Sequence, residues 1–255
     1  MTSETASNGL AGRIFRAAPI PASGRFLSDP SGAGALSWIA TPVVLLVALL
    51  AVAYVAPAWY LRWIQPEGYG LQEVAHFLVP AATAVLALAT LGNRWVRSQP
   101  LVVVWLVMLA LGTIYIAGEE HSWGQHLFEW RTPAYWSELN RQDETNLHNV
   151  ASIYGKLPRS ILLVGIILLG FLYPLIARAY PELHKRNPLA IFMPPIVLWP
   201  AAACLVLVEL ADFFDVGIAL GRGDIRLSEI SETFIYLFLL LGILILRRRL
   251  LEMRS

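Results

Sequence analysis

Carboxylate and imidazole side chains of this sequence gather at the ends of long apolar stretches. Glu73 and His76 stand three residues apart at the start of one such stretch, and Glu119 and Glu120 lie at the end of the next. A spacing of three places two side chains on the same side of a helix. Carboxylate and imidazole ligands together suit zinc, iron or manganese. The pattern therefore predicts a site for a divalent metal ion.

Further acids recur at helical spacing along the chain. Glu144 and His148 are four residues apart in the longest polar segment and add another acid and imidazole pair. Acids three residues apart also flank the last two apolar stretches, namely Glu209, Asp212, Asp215, Glu229 and Glu232. Ionisable groups at membrane depth are costly, so we expect most of these side chains to face the interior of the molecule or a wet cavity.

We expect two roles among these residues. The candidate metal ligands are Glu73, His76, Glu120 and His148. The candidates for a catalytic base or an additional ligand are Glu119, Glu209 and Glu232. Adjacent helical residues point about 100° apart, so we expect only one of Glu119 and Glu120 to face inward.

Other interpretations of the same residues stay open. Glu73 and His76 could form a buried hydrogen-bonded pair that holds two helices together. Protons or nearby arginines, rather than a metal, could relieve the group of carboxylates. The sequence contains only one Glu-x-x-His pair, Glu73 with His76, whereas the di-metal sites of helix bundles use two. His-Glu-x-x-His does not occur, which excludes a zincin protease at the level of motif.

The elements that must position these residues are transmembrane helices. The 255-residue chain is 57% hydrophobic and 15% charged, with a mean hydropathy of +0.59, which is too apolar for an ordinary soluble domain. It shows no basic pattern typical of nucleic-acid binding. A spanning helix needs roughly 20 mostly apolar residues. The stretches that qualify run approximately from Leu36 to Tyr60, Leu71 to Leu91, Leu101 to Ala117, Ile161 to Ala177, Leu189 to Ala211 and Ile230 to Leu246.

The fold class predicted is thus an all-α, polytopic membrane bundle of about six helices. Lys and Arg near span ends stay on the cytoplasmic side, and a cytoplasmic N-terminus would place twelve of the 19 basic residues inside and fourteen of the 18 acidic residues outside. We therefore expect both termini in the cytoplasm, the protein in a bacterial inner membrane, and the candidate site at the outer face.

The predicted organisation is a mobile cytoplasmic tail at 1–35, the six-helix domain at 36–250 and a basic cytoplasmic end at 251–255. Prolines inside the second, fourth and fifth spans predict kinks there. In the outer loop at 119–159, Thr132 as N-cap predicts a short interfacial helix from Pro133 to Asn140. A further helical turn or two is predicted from Glu144 to Tyr154.

The outer loop also carries a resemblance. The residues from Glu119 to Gln125, then Thr132-Pro133, then Glu144 to Asn149 resemble the signature EExSWGQ...TP...ETNLHN of an uncharacterised family of multi-pass bacterial membrane proteins. That resemblance implies a polytopic bundle and no assigned activity. The double glutamate is locally similar to the intramembrane proteases and Abi proteins related to CAAX prenyl endopeptidases, but Gly124 and Gln125 stand where that family has arginine and glycine.

Two functions follow as hypotheses. The first is a membrane enzyme whose outer-face cavity binds a divalent metal and hydrolyses or otherwise processes a lipid-like substrate. The second is a non-catalytic subunit or a small proton-coupled transporter, in which the same acids relay protons or dock a periplasmic or membrane protein partner. The lipid bilayer is the partner common to both, and a purely structural polar bundle is the third possibility.

Overall fold

The computed structural model describes residues 29–140, 143–147, 150, 153–185, 187 and 189–253. Of the predicted tail at 1–35, residues 1–28 lie outside the described residues. Across the described ranges the chain is helical, and the sole strand-like feature is an isolated bridge between Asn140 and Val150. Six helical segments in these ranges are long and apolar enough to cross a membrane. The prediction of an all-α polytopic bundle is confirmed.

We number the six long elements α1 to α6 in chain order. The fourth combines two α-helical parts with a π-helical part between them, and the fifth follows two short 3₁₀ turns. The bounds are α1 Gly32–Val55, α2 Leu71–Leu91, α3 Pro100–Glu120, α4 Ile153–Gly165 with Ile166–Leu172 and Tyr173–Ala179, α5 Trp199–Phe213, and α6 Leu227–Glu252.

Prolines set several of these bounds. The first span was predicted to reach Tyr60, but α1 ends at Val55 because Pro57 opens a separate short helix, Pro57–Trp63. Proline has no N–H to continue the ladder of the preceding helix and suits the first position of a new one. Pro174 follows the π-helical turn Ile166–Leu172, and this wider turn accommodates the missing donor. The fourth span is thus irregular where a kink was predicted.

The fifth span is broken rather than merely bent. Two 3₁₀ turns, Ala190–Phe192 and Ile196–Leu198, precede α5 and are separated by Pro194 and Pro195. Carbonyls at the first turn have no donors from a continuing helix. The Arg249 guanidinium of α6 instead donates to the carbonyls of Ile191 and Met193 at 2.9 and 2.7 Å. The break is therefore supported by a buried side chain of the neighbouring helix.

The centre of the bundle is α6, which packs against α2 and α5, while α2 packs along α3. Buried residues make up 56% of the apolar part of α6 but only 6% of that of α1, which lies at the edge of the bundle. Phe234 and Leu205 are fully buried between α6 and α5. The position of α6 matters for function because its first turns carry the acids at one end of the bundle.

We call that end of the bundle the acidic end. It comprises the first turns of α2, α4 and α6, the last turns of α3 and α5, and the loops between them. Gln65 of the first loop donates to the carbonyl of Asp224 in the last loop at 3.0 Å. Contacts of this kind show that the acids separated along the sequence converge, as predicted.

The loop between α3 and α4 differs in part from its prediction. The short helix predicted from Pro133 is confirmed as Ala134–Leu139, but its N-cap is Pro133, since the Thr132 hydroxyl instead donates to the carbonyl of Asp143. The turn predicted from Glu144 to Tyr154 is wrong, because residues 143–147 form bends and α4 begins at Ile153. Long-range side-chain bonds hold these bends, as described below.

Candidate metal centre

A buried histidine faces several carboxylates at the acidic end. His76 of α2 is 1% exposed, and its Nδ1 lies 3.4 Å from Glu120 Oε2 of α3 and 3.7 Å from Glu229 Oε2 of α6. His76, Glu229 and Glu232 each offer one potential ligand atom, and these three atoms lie within 4.8 Å of one another. Three helices thus bring one imidazole and three carboxylates to one place.

Thr233 contacts the ring nitrogen of His76 that faces away from the carboxylates. The Thr233 hydroxyl lies 2.9 Å from His76 Nε2 and 3.1 Å from the main-chain carbonyl of Glu229. When this hydroxyl donates to that carbonyl, it accepts from Nε2–H. In this tautomer the lone pair of the neutral ring is on Nδ1, which faces the carboxylates and makes no hydrogen bond with them.

A chain of hydrogen bonds supports Thr233 from behind. Gln72 Nε2 donates to the Thr233 hydroxyl at 3.2 Å, and the Tyr60 hydroxyl donates to Gln72 Oε1 at 3.2 Å. Burial, with Glu229 nearby, raises the pKa of Tyr60 to about 12, so this hydroxyl keeps its proton at neutral pH. The chain holds the imidazole in one orientation.

The carboxylate of Glu120 is held by Tyr236 of α6. The Tyr236 hydroxyl donates to Glu120 Oε1 at 2.7 Å, and its ring meets that of His76 edge-on with 5.1 Å between centroids. Glu73, one helical turn before His76, is half-buried and interacts electrostatically with Glu120 and Glu229. Glu73 therefore lies beside the cluster.

Arg159 of α4 bridges two further acids. Its Nη2 donates to Glu209 Oε1 of α5 at 2.5 Å and to the Ser231 hydroxyl at 2.6 Å, and its Nε lies 3.0 Å from Glu232 Oε1. Glu232 is thus shared between the arginine and the group that contains His76. Arg159 links α4, α5 and α6 across the acidic end.

Among the residues that the structure describes, carboxylates outnumber cationic side chains in this region. Arg226 pairs with Glu67 and lies 3.5 Å from Glu229, and Arg159 takes Glu209 and Glu232. The carboxylates that share these two arginines and His76 are Glu67, Glu73, Glu120, Glu209, Glu229 and Glu232. The side chains of Glu120, Glu229 and Glu232 are under one fifth exposed, where uncompensated charge is expensive. The arrangement calls for a cation or for bound protons.

Glu119 serves a different purpose from Glu120. Its carboxylate accepts from Trp123 Nε1 at 2.7 Å and from the main-chain N–H of Leu147 at 2.6 Å. The two neighbouring side chains diverge as expected for adjacent helical residues, but both are buried. Glu119 therefore fixes the loop after α3.

The remaining signature residues continue this loop structure. Asn146 Nδ2 donates to Glu144 Oε2 at 2.7 Å and to the Ser122 hydroxyl at 2.9 Å, and that hydroxyl also donates to Glu144. Gln125 accepts from the main-chain N–H of Thr145 at 2.7 Å. We call Glu119, Ser122, Trp123, Gln125, Glu144, Thr145 and Asn146 the loop cluster. The members of the loop cluster bind one another, so the structure of the loop gives many of the residues in the quoted pattern a structural role.

The structure places the predicted site residues in three settings. The buried cluster contains His76, Glu120 and Glu232, with Glu73 at its side. Glu209 pairs with Arg159, and Glu119 belongs to the loop cluster. His148 lies outside the described residues.

Sequence reasoning missed Glu229 as a ligand and the supporting roles of Thr233, Tyr236 and Arg159. Glu229 is three residues before Glu232 and Tyr236 is four after it, so the helical spacing of α6 already pointed to one polar side. Arg159 carried no comparable signal, because its partners lie on other helices.

No family model, curated protein or solved structure matches this chain.

Proposed function

We propose that this integral membrane protein binds a divalent metal ion at its acidic end through His76, Glu229 and Glu232, and that it uses the ion to hydrolyse or otherwise process a lipid-like substrate. The observation that carries the proposal is the orientation of His76. Its Nε2 is bound to Thr233, and its Nδ1 faces carboxylates without a hydrogen bond.

This orientation fits a metal ligand. When Thr233 accepts from Nε2–H, the lone pair on Nδ1 points at carboxylate oxygens and is repelled unless a metal ion lies between them or Nδ1 takes up a proton. Metal-bound histidines donate their other ring N–H to an oxygen acceptor, and the Thr233 hydroxyl is placed for that role here. The acids and the contact of Nε2 with Thr233 favour a cation site next to Nδ1.

The donor set indicates the class of metal. One imidazole with two or three carboxylates suits zinc, iron or manganese. Ligand atoms about 2.0–2.2 Å from a zinc ion are roughly 3.3–3.6 Å apart, so the group within 4.8 Å would close by small side-chain rotations. Glu120 is the nearest additional ligand, and Glu73 is a candidate base. A divalent ion in this position would polarise a substrate oxygen and activate water.

Metal analysis of the purified protein tests this proposal. Protein purified without chelators should contain about one zinc, iron or manganese ion per chain, and His76→Ala and Glu232→Gln should remove it while the helical content stays. His184→Ala is the matched control, because His184 contacts Tyr173 on a different part of the chain. A metal-free wild type, or equal metal in all four proteins, would contradict the proposal.

A second candidate function is a proton-coupled transporter. The His76 imidazole, next to several carboxylates inside a membrane bundle, is suited to proton relay. This function predicts pH-dependent flux in liposomes that Glu73→Gln abolishes without unfolding the protein. Flux without bound metal would favour the transporter, and metal without flux would favour the enzyme.

The orientation in the membrane is part of the proposal. We infer that the acidic end faces the outside of a bacterial inner membrane and that both termini lie in the cytoplasm, because most basic residues outside the acidic end border the opposite ends of the helices. Reporter fusions in the loop around Tyr135 and at the C-terminus test this. Signals from the same side of the membrane would reject it.

A further inference from the structure

A narrow cleft lies beside the candidate metal centre. It is lined by α3, α4 and α6, and Glu120 and Tyr236 belong to both the cleft and the centre. The cleft has a volume of about 30 Å³, which is room for one or two water molecules or for a small polar group of a larger ligand. Whatever enters the cleft therefore comes within reach of the centre.

The lining of the cleft combines charged, hydroxyl and aliphatic side chains. Glu120 ends α3 and Arg159 lies in the second turn of α4, whereas Ile116 and Leu162 lie about one turn further into the two spans, where Tyr115 adds a hydroxyl. The charged side chains thus lie nearer to the head groups than the aliphatic ones. A cleft with this mixed lining suits an amphipathic molecule.

The cleft is positioned for entry from the lipid. Among the described residues, α3 and α4 make no extended contact with each other. Ile114 of α3 and Ile161 of α4 are exposed where lipid would surround the bundle. A lipid chain can therefore lie against the gap between these helices while its polar group enters the cleft.

Two hydrogen-bond donors in the cleft have no acceptor among the described residues. They are the Tyr115 hydroxyl and Arg159 Nη1, since Nη2 of the same guanidinium donates to Glu209 and Ser231 and its Nε lies against Glu232. Donors of this kind recognise ester and phosphate oxygens. Glutamates border the same space, so the ligand also has to tolerate carboxylates, as a lipid with an amine or a neutral part in its head group does.

We propose that the cleft binds a glycerophospholipid from the side, with an ester or phosphate oxygen at Arg159 and Tyr115 and an acyl chain against Ile116 and Leu162. The inference rests on the proposed function, for which it names the substrate class. It requires the cleft and its donors, and not the metal, for binding.

Photolabelling tests the proposal. The full chain is placed in nanodiscs of phosphatidylethanolamine and phosphatidylglycerol that contain a phosphatidylethanolamine with a diazirine in one acyl chain. After irradiation, peptide mass spectrometry should show adducts concentrated on the α3 and α4 residues of the cleft. Tyr115→Phe should lower this labelling about fivefold, the effect of one lost hydrogen bond.

Three further variants keep the test decisive. Leu162→Trp fills the cleft and should abolish the labelling, whereas Leu168→Trp, at an exposed position of the same helix, should leave it unchanged. Arg159→Lys keeps the charge that Glu209 and Glu232 require and removes the forked donor, so it should lower labelling while the protein stays folded. Adducts spread evenly over lipid-facing residues, or equal labelling in all variants, would overturn the proposal.

The two proposals fail separately. In His76→Ala the donors of the cleft remain, so labelling should persist although metal is lost. Inorganic phosphate added as a competitor should not reduce labelling, because it has no acyl chain. Displacement by phosphate would overturn the assignment to a lipid, and loss of metal with labelling intact would leave the lipid assignment standing.

Discussion

The two ends of α6 differ in how far their buried charges are paired with opposite charges. Near its C-terminus, Arg249 is 3% exposed. Its guanidinium binds the Asp29 carboxylate through two donors at 2.8 and 2.7 Å and also the carbonyls of Ile191 and Met193. One positive charge thus meets one negative charge and the acceptors of a broken helix.

Near its N-terminus, α6 instead contributes Glu229 and Glu232 to a group in which the described carboxylates outnumber the described cations. Both ends bury charge, but among the described residues only Arg249 is matched by a single carboxylate, that of Asp29. The difference teaches that a balanced buried charge supports the fold, whereas an unbalanced one indicates a missing ion or proton. The predictions below test that distinction.

The largest effect should come from Arg249→Met. This change leaves the Asp29 carboxylate and two carbonyls without their donor, and breaking a buried pair by removing one partner costs about 3–5 kcal/mol. The free energy of unfolding in detergent should fall by this amount. Arg248→Met is the control, because Arg248 is exposed and stacks over Trp38. Equal losses in the two variants would contradict a structural role for the Arg249 end.

Removal of metal should reduce stability only through the N-terminal end of α6, which carries Glu229 and Glu232. With metal at 100 times its Kd, binding to the native state adds about 2.7 kcal/mol of stability. A chelator should therefore lower the melting temperature of the wild type and of Arg248→Met, and leave that of His76→Ala unchanged. If chelation destabilises His76→Ala equally, the metal binds elsewhere.

Thr233→Val should weaken metal binding without destroying the site. The change removes the acceptor that orients His76 Nε2, and loss of such a partner typically lowers metal affinity 10–100-fold. Competition with a fluorescent chelator measures this change. Thr90→Val is a matched control, since the Thr90 hydroxyl bonds only within α2. An unchanged affinity in Thr233→Val would remove the tautomer argument.

The smallest effect should come from an exposed pair at the acidic end. The Arg222 guanidinium, hydrogen-bonded to Asp224, holds the pKa of that carboxyl below its usual 3.8. The pair therefore stabilises the fold above the ordinary pKa, and this contribution is lost as the pH falls through the lowered pKa. Asp224→Asn should slightly lower the melting temperature at pH 7, and the difference from wild type should disappear in acid. A constant difference would contradict this origin.

The fold was predictable because the hydrocarbon thickness sets the length of each span, and the site was predictable as far as helix ends determine it. Glu73, His76, Glu120 and Glu232 begin or end apolar stretches, so a bundle had to bring them near one another. The partners of Arg159 could not be predicted, because they depend on how three helices rotate. The role of Glu119 depends on a turn in which Ser122 and Trp123 have positive φ, which no periodicity reveals.

The close approach of Trp123 to Gly118 has a consequence for genetic screens. A Cβ at residue 118 would lie 2.7 Å from the indole ring, so any larger residue would push away the tryptophan whose N–H holds Glu119. A screen for inactive alleles would then return Gly118 beside His76, although glycine has no group that can react. Intolerance of substitution at that position would show that a larger side chain does not fit there. Loss of activity alone would therefore wrongly identify Gly118 as a residue that takes part in the chemistry.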